Sequence, residues 1–328
     1  MKNYIIILLI FLFLLPGIGF AGSKDKKFRV ELYGGLSALN PADLNARPGY
    51  TQAYEDFNYL DSYISDAARL GELFRFTYEM TGELKKIPNA RQVGGRVTYN
   101  LSSGWGLSLG FRFLEQSRSS EVSYYYEAEG VRPDSVFLSA DFERTREYGP
   151  YALSAKGYAP LLGVHYCWFG RSLGSRVSME SYLEAGPLFA SCRFEERLRS
   201  RYEDSSGYWE SRETFYAIEG SGVGVSIEAG IRINMKLYRA VGFFIEGGYT
   251  LQKVRDVSGQ GIYERTYDDS NAEVNTTAVT WDGTWVMVPA SFDTSIRYPA
   301  SEYSEGQYEK FILDLSGFQA RVGISWKF

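Results

Sequence analysis

From Phe318 to Phe328 every second residue is apolar: Phe318, Ala320, Val322, Ile324, Trp326 and Phe328 alternate with Gln319, Arg321, Gly323, Ser325 and Lys327. A period of two belongs to a β-strand, whose successive side chains point to opposite faces. This strand has one greasy face and one polar face and runs to the last residue, with no polar tail after its final aromatic. Such an ending is unusual in water, so the pattern constrains both the fold and the solvent of the whole chain.

The alternation recurs in eight segments. Phe28 to Ser37 sets Phe28, Val30, Leu32 and Leu36 against Arg29, Glu31, Tyr33 and Ser37. The second segment runs from Arg91 to Leu101, and after Ser102, Ser103 and Gly104 the third carries Trp105, Leu107, Leu109, Phe111 and Phe113 on one face. A fourth ends in Leu162, Val164, Tyr166 and Trp168; the fifth holds Val177, Met179, Leu183, Ala185 and Phe189. The sixth sets Val223, Val225, Ile227, Ala229, Ile231, Ile233 and Met235 against Ser226, Glu228, Gly230, Arg232 and Asn234, and the seventh follows from Val241 to Leu251. The eighth begins near Lys310 and reaches Phe328, with a change of phase at Ser316 and Gly317 that reads as a bulge.

The links between segments have a period of their own. Short turns follow the second, fourth and sixth; long links rich in Tyr, Glu, Arg and Ser follow the first, third, fifth and seventh. An antiparallel meander with its short turns on one rim and its long loops on the other is the pattern of a transmembrane barrel. A compact soluble domain rarely carries four such loops. Each segment reaches the roughly 9–11 residues needed to cross the hydrocarbon layer when tilted. Lipid offers no water to an open sheet edge, so the sheet must close.

The reading is therefore all-β: an eight-stranded antiparallel transmembrane β-barrel with short periplasmic turns and four long extracellular loops. Its inward face acquires a definite chemistry. Arg29, Arg96, Arg112, Arg232 and Arg321 would meet Glu31, Glu180, Glu184, Glu228 and Glu246 inside a barrel just wide enough for side chains to fill. Charges persist there only when paired. Two uses remain open, a gated polar path and a packed ionic core.

With eight strands, three short turns, four long loops and the ending Ile324, Trp326, Phe328, the chain resembles the OmpA/OmpX/OmpW-like small outer-membrane barrels. The resemblance covers the pattern of the whole chain after its leader, without an aligned motif. It implies the outer membrane as location, and Ile324, Trp326 and Phe328 as the signal read by the outer-membrane assembly machinery. It also implies contact with outer-membrane lipid and lipopolysaccharide, and a monomeric state. The chain departs from OmpA in having no periplasmic peptidoglycan-binding domain after the barrel, and it has no amino-terminal plug domain; wall anchoring and energised siderophore uptake are not expected.

The amino terminus agrees with export. Lys2, the apolar run Ile5 to Leu15, the break at Pro16 and Gly17, and the small residues Gly19 and Ala21 make a secretory signal over residues 1–21, leaving a barrel domain of 22–328. The apolar run is too short to span a bilayer, which takes about 20 residues. Hydrophobic content of 45% and aromatic content of 16% are carried largely by Tyr and Phe among Gly, a mixture suited to strands and interfacial girdles. A net charge of −5 supplies no basic face for nucleic acid. Cys167 and Cys192 fall on neighbouring strands but far apart in register, Cys167 near 179 and Cys192 near 154, so no bridge is expected.

The long links carry candidate contacts. In the first, Phe57, Leu60, Ile64, Ala67 and Leu70 recur at helical spacing, which predicts a short amphipathic helix ended by Gly71. Tyr125, Tyr208, Trp209, Trp281 and Trp285 are candidates for recognition of an extracellular ligand, since aromatic faces stack on sugars or anchor protein contacts at low entropic cost. The same residues could instead pair across strands that project beyond the membrane. Asp268 and Asp269 are too little for a calcium loop. His165, two residues before Cys167 and with no Ser marked as its partner, leaves an interfacial lipid-modifying enzyme as a minor alternative; no enzyme, metal site or cofactor is expected.

Overall fold

The computed structural model describes residues 28–39, 65, 69, 74–83, 89–101, 104–130, 142–169, 176–238, 240–284, 286–289, 294–297 and 309–328. The expected secretory signal of residues 1–21 and Trp285 lie outside them. So does the expected helix of the first loop, apart from Ser65 and Arg69, both helical.

The alternating segments pair in sequence and then return to the start. Strand β1 (Phe28–Leu39) pairs antiparallel with β3 (Ala90–Asn100), β3 with β4 (Trp105–Gly130), β4 with β5 (Phe142–Phe169) and β5 with β6 (Val177–Asp204). The ladder continues from β6 to β7 (Trp209–Tyr238), to β8 (Val241–Val254), to β15 (Gly317–Lys327), and from β15 back to β1. The strands form a closed antiparallel ring. At its seam Val30 faces Trp326 and Leu32 faces Ile324. The Phe28 N–H donates to the Phe328 carbonyl at 3.3 Å, and the Phe328 N–H donates back at 2.8 Å.

The ring is inside out relative to a water-soluble protein. Leu107, Leu109, Leu162, Val164, Leu183, Val225, Ile227, Ile231, Ile233, Ile245, Val322 and Ile324 point outward with exposures of 39–68%, whereas the polar set between them is buried. Each such side chain left in water forgoes roughly 1.5–3 kcal/mol of burial, so a band of them calls for an apolar solvent. None of the described helices is long and apolar enough to cross a membrane, a statement that leaves strands untouched.

Fifteen strands are described, not eight, because the long links are largely strand. β4, β5, β6 and β7 have 26, 28, 28 and 30 residues, far beyond the roughly 9–11 that cross a hydrocarbon layer. Above the apolar band β7 changes neighbour: Val225 to Tyr238 pair with β8, whereas Glu210 to Ser221 pair with β9 (Ser258–Asp269). With β10 (Ala272–Thr284) beside β9 and β2 (Phe74–Glu83) beside β4, the upper sheet has the order β2-β4-β5-β6-β7-β9-β10. Among the described residues β2 and β10 are its edges. The short strands β11 (Val286–Pro289), β12 (Thr294–Arg297) and β13 (Glu309–Lys310) form a separate small sheet, and β14 (Leu313–Asp314) joins β8.

The change of phase at Ser316 and Gly317 is not a bulge. Leu313 faces Val254 and Gly317 faces Thr250, so the register against β8 is continuous. Phe311, Leu313, Leu315, Gly317, Gln319 and Arg321 are all buried. What changes there is the chemistry of the interior, from polar to apolar, at constant geometry. Elsewhere, the β5–β6 ladder breaks without a shift between the pairs Tyr158–Phe189 and Leu162–Ala185, where Pro160 and Pro187 lack the N–H that a ladder needs. Cys167 pairs with Glu180 and Cys192 with Ala155, and the two are not joined as a disulfide.

Candidate functional site

The period-two alternation of the ring delivers five arginines and five glutamates to the interior, none more than 6% exposed. Arg29 of β1 donates both terminal nitrogens to Glu180 of β6, at 2.6 and 2.7 Å, and its Nε lies 2.8 Å from Glu31. Arg232 of β7 reaches Glu31 at 2.6 and 2.9 Å, and its Nε donates to Glu246 at 2.8 Å. Arg96 of β3 contacts Glu184 at 3.1 Å, Glu246 at 3.2 Å and Glu31 at 3.5 Å. Arg112 and Arg321 both bind Glu228, and Arg321 also meets Glu246 at 2.5 Å.

Tyrosines fill the space between the guanidinium planes. Arg321 lies 4.7 Å over the Tyr33 ring and donates to the Tyr182 hydroxyl at 3.0 Å, and Arg96 lies 5.3 Å over the Tyr182 ring. Arg112 adds hydrogen bonds to Ser226 at 2.8 Å and Thr250 at 3.2 Å. Opposite charges in equal number, each held by several partners, offset the desolvation that would otherwise expel them. Tyr33, Tyr182 and Thr250 stand on the inward face of the sequence pattern, but a single sequence does not reveal that they bridge the arginines.

His165 has partners that the sequence does not mark. Its Nε2 is 3.0 Å from the Ser108 hydroxyl and 3.4 Å from Glu184, and Ser108 itself donates to Glu184 at 3.1 Å. A hydrolytic relay needs the acid on one imidazole nitrogen and the serine on the other. Here one nitrogen meets both, and all three groups are buried in the packed interior.

Above these polar layers the interior carries an apolar layer. Leu114, Leu161, Leu188, Phe194, Val254, Phe311, Leu313 and Leu315 belong to one buried apolar cluster across the top of the ring. The segment 311–315 belongs to this layer, with Phe311, Leu313 and Leu315 wholly buried and Ile312 half-buried. It hangs on two ladder pairs, Leu313–Val254 and Asp314–Lys253, and on the Leu315 N–H donating to the Gln252 carbonyl at 2.8 Å. Gly222 makes room where the chain crosses from β8 to β9: a Cβ there would lie 2.6 Å from Val254 Cγ1 and 2.9 Å from the Asp256 carbonyl oxygen.

The extracellular-loop candidates separate. Tyr208 follows the β6–β7 turn, where Asp204 accepts from the Ser206 hydroxyl at 2.6 Å, the Ser206 N–H at 2.9 Å and the Tyr208 N–H at 3.1 Å. These bonds, the Ser206 hydroxyl first, hold the Asp204 carboxyl below the usual carboxylate range. Tyr208 packs 6.3 Å from the Tyr202 ring and meets the Tyr267 hydroxyl at 3.3 Å. Tyr125 pairs with Thr145, and Thr145 with Arg201, on the opposite face of the sheet; Trp209 pairs with Glu203 and Trp281 with Gly261. Among the described residues no three His, Cys, Asp or Glu side chains gather as a metal site.

No family model matches the sequence, and no curated protein matches it. Among solved structures it is similar to a major outer membrane protein of Thermus thermophilus, at 10% identity and a TM-score of 0.34, covering 92% of this chain and 98% of that one. It is similar to OprG of Pseudomonas aeruginosa at 13% identity and 0.30, covering 92% and 97%. CarO of Acinetobacter baumannii aligns at 12% identity and 0.31, covering 79% and 99%. Scores and identities this low leave the fold resting on the strand pairing.

Proposed function

We propose that this chain is an integral outer-membrane protein, exported by removal of residues 1–21, whose ring is an eight-stranded transmembrane barrel over residues 22–328. Its interior is structural: the ion-paired core braces the wall and conducts nothing in the state described, and the working surface is the extracellular sheet above it. Ile324, Trp326 and Phe328 are the residues offered to the assembly machinery, and the outward apolar band meets outer-membrane lipid and lipopolysaccharide. The protein is a monomer and carries out no catalysis, its one histidine being committed to Ser108 and Glu184.

The observation that carries this reading is the layering of the interior, an ion-paired polar core under the apolar layer of Leu188, Phe311, Leu313 and Leu315. Ions crossing such a stack would lose their hydration with nothing to replace it. A second reading, a gated conduit, draws on the place of segment 311–315 within the apolar layer, since its displacement would breach that layer. Refolding residues 22–328 into a planar bilayer decides between them. The sealed barrel gives a folded protein with no conductance steps; discrete, salt-dependent steps establish the conduit and overturn the sealed reading.

A further inference from the structure

Two arginines flank a serine across three neighbouring strands of the upper sheet. Arg146 of β5 lies opposite Ser200 of β6, and Ser200 lies opposite Arg212 of β7. Residues directly opposite in an antiparallel ladder point to the same face. The face is that of the ring interior, because β6 runs from Glu180 to Tyr202 without a register shift against β7. Strands stand about 4.8 Å apart, so the arginine backbones are about 10 Å apart with only a short hydroxyl side chain between them. Burial and the neighbouring charge of Arg212 hold the Arg146 guanidinium below the usual arginine value, and Glu210 acts against both.

One row nearer the tip, Arg144 stacks 5.0 Å over the Tyr202 ring, and Glu210 lies 3.8 Å from Arg144. Tyr267, directly opposite Arg212, donates its hydroxyl to Glu210 at 3.4 Å and meets the Tyr208 hydroxyl at 3.3 Å. Arg144, Arg146, Ser200, Tyr202, Glu210, Arg212 and Tyr267 are half-buried, within reach of a solute yet fixed by their neighbours. Three tyrosine rings, the guanidinium groups of Arg144, Arg146 and Arg212, and the Glu210 carboxylate therefore share one face.

We propose that this face binds an acidic sugar, with its anionic group between Arg146 and Arg212 over Ser200 and its ring against Tyr202 and Tyr267. Guanidinium forks match carboxylate, sulfate and phosphate oxygens, and tyrosine offers a flat apolar surface with a polar edge to a pyranose. Glu210 accepts from the sugar hydroxyls, and the Tyr208 hydroxyl accepts from them or donates to them. Glu210, on the same face one row above Ser200, sets a negative charge beside the arginine pair, which disfavours a polyanion and favours a single charge. The inference rests on the extracellular placement proposed above only for its access to ligand in the cell; binding by the purified chain is independent of that placement and of conductance.

The test is calorimetric titration of the full mature chain in lipid nanodiscs with 3′-sialyllactose, 3′-sulfolactose, lactose and inorganic phosphate. The acidic sugars are expected to bind, and lactose and phosphate to bind about tenfold more weakly or not at all. Arg146→Gln and Arg212→Gln should each weaken sialyllactose by about tenfold, Arg212→Lys by less, and Arg199→Gln on the opposite face not at all. Heat-modified gel mobility identifies variants that fold. Lactose binding as tightly as sialyllactose, phosphate binding as tightly as either acidic sugar, or folded arginine variants with unchanged affinity would each overturn the proposal.

Discussion

Arg29 and Glu180 are 151 residues apart in sequence and joined by two hydrogen bonds of 2.6 and 2.7 Å, one to each carboxylate oxygen. Counted round the ring, β1 and β6 are on opposite walls, so this pair is a strut across the interior. Its removal from one side leaves a charge stranded among buried groups. Glu180→Gln or Arg29→Met should each destabilise the folded barrel by about 3–5 kcal/mol, and the double variant by less than the sum. Urea unfolding in lipid vesicles measures both, and additive losses would show that the two side chains do not act as a pair.

The apolar layer makes the opposite demand. Leu313→Asp sets a carboxylate where Leu188, Val254 and Phe311 supply no partner, and burial of such a group without one is prohibitive. The segment 311–315, held by its two ladder pairs, should leave the mouth of the ring, and ion conductance should appear in planar bilayers. Leu313→Met keeps the volume and should stay silent. A folded Leu313→Asp protein that also stays silent would mean that the ionic core alone blocks passage.

Glu196 gives the upper sheet a pH dependence. It faces Tyr216 across the β6–β7 ladder above the apolar band, and burial pushes its carboxyl up from an ordinary 4.5 to about 7. The folded hairpin therefore holds a proton that the unfolded chain has released. Its contribution to stability is complete below pH 4.5 and is lost as pH rises through 7. Protection factors over residues 194–218, which divide out the base-catalysed rise of amide exchange with pH, should fall between those limits, and Glu196→Gln should remove that fall.

The inward charges are legible because alternation alone assigns a face: Arg29, Glu31, Glu180 and Arg232 each occupy a polar position between apolar neighbours. Their partners across the ring are not legible, since Arg29 meets Glu180 only once closure and register are known. The upper halves of β4 to β7 read as loops because residues such as Arg197, Arg199 and Arg201 are polar on one face while Glu196, Ser200 and Tyr202 are polar on the other. A strand solvated on both sides loses the period of two. Phe311, Leu313 and Leu315 misled for the converse reason, being apolar on a face that is charged only a few residues later. Ser108 carries no local mark at all; its place beside His165 comes from the β4–β5 register, which sets His165 opposite Gly106.

The seam between β1 and β15 pairs Val30 with Trp326 and Leu32 with Ile324, the widest sequence separation of any ladder in the ring. Every other ring ladder joins strands nearer to one another along the chain, so the seam carries the greatest loop-closure entropy and forms late. Until it does, the protein is a sheet with two bare borders, each a row of unpaired amides that an apolar solvent would leave unsatisfied. Closure is thus an all-or-none event for this molecule, and the weakest moment in its life is the interval before its two ends meet.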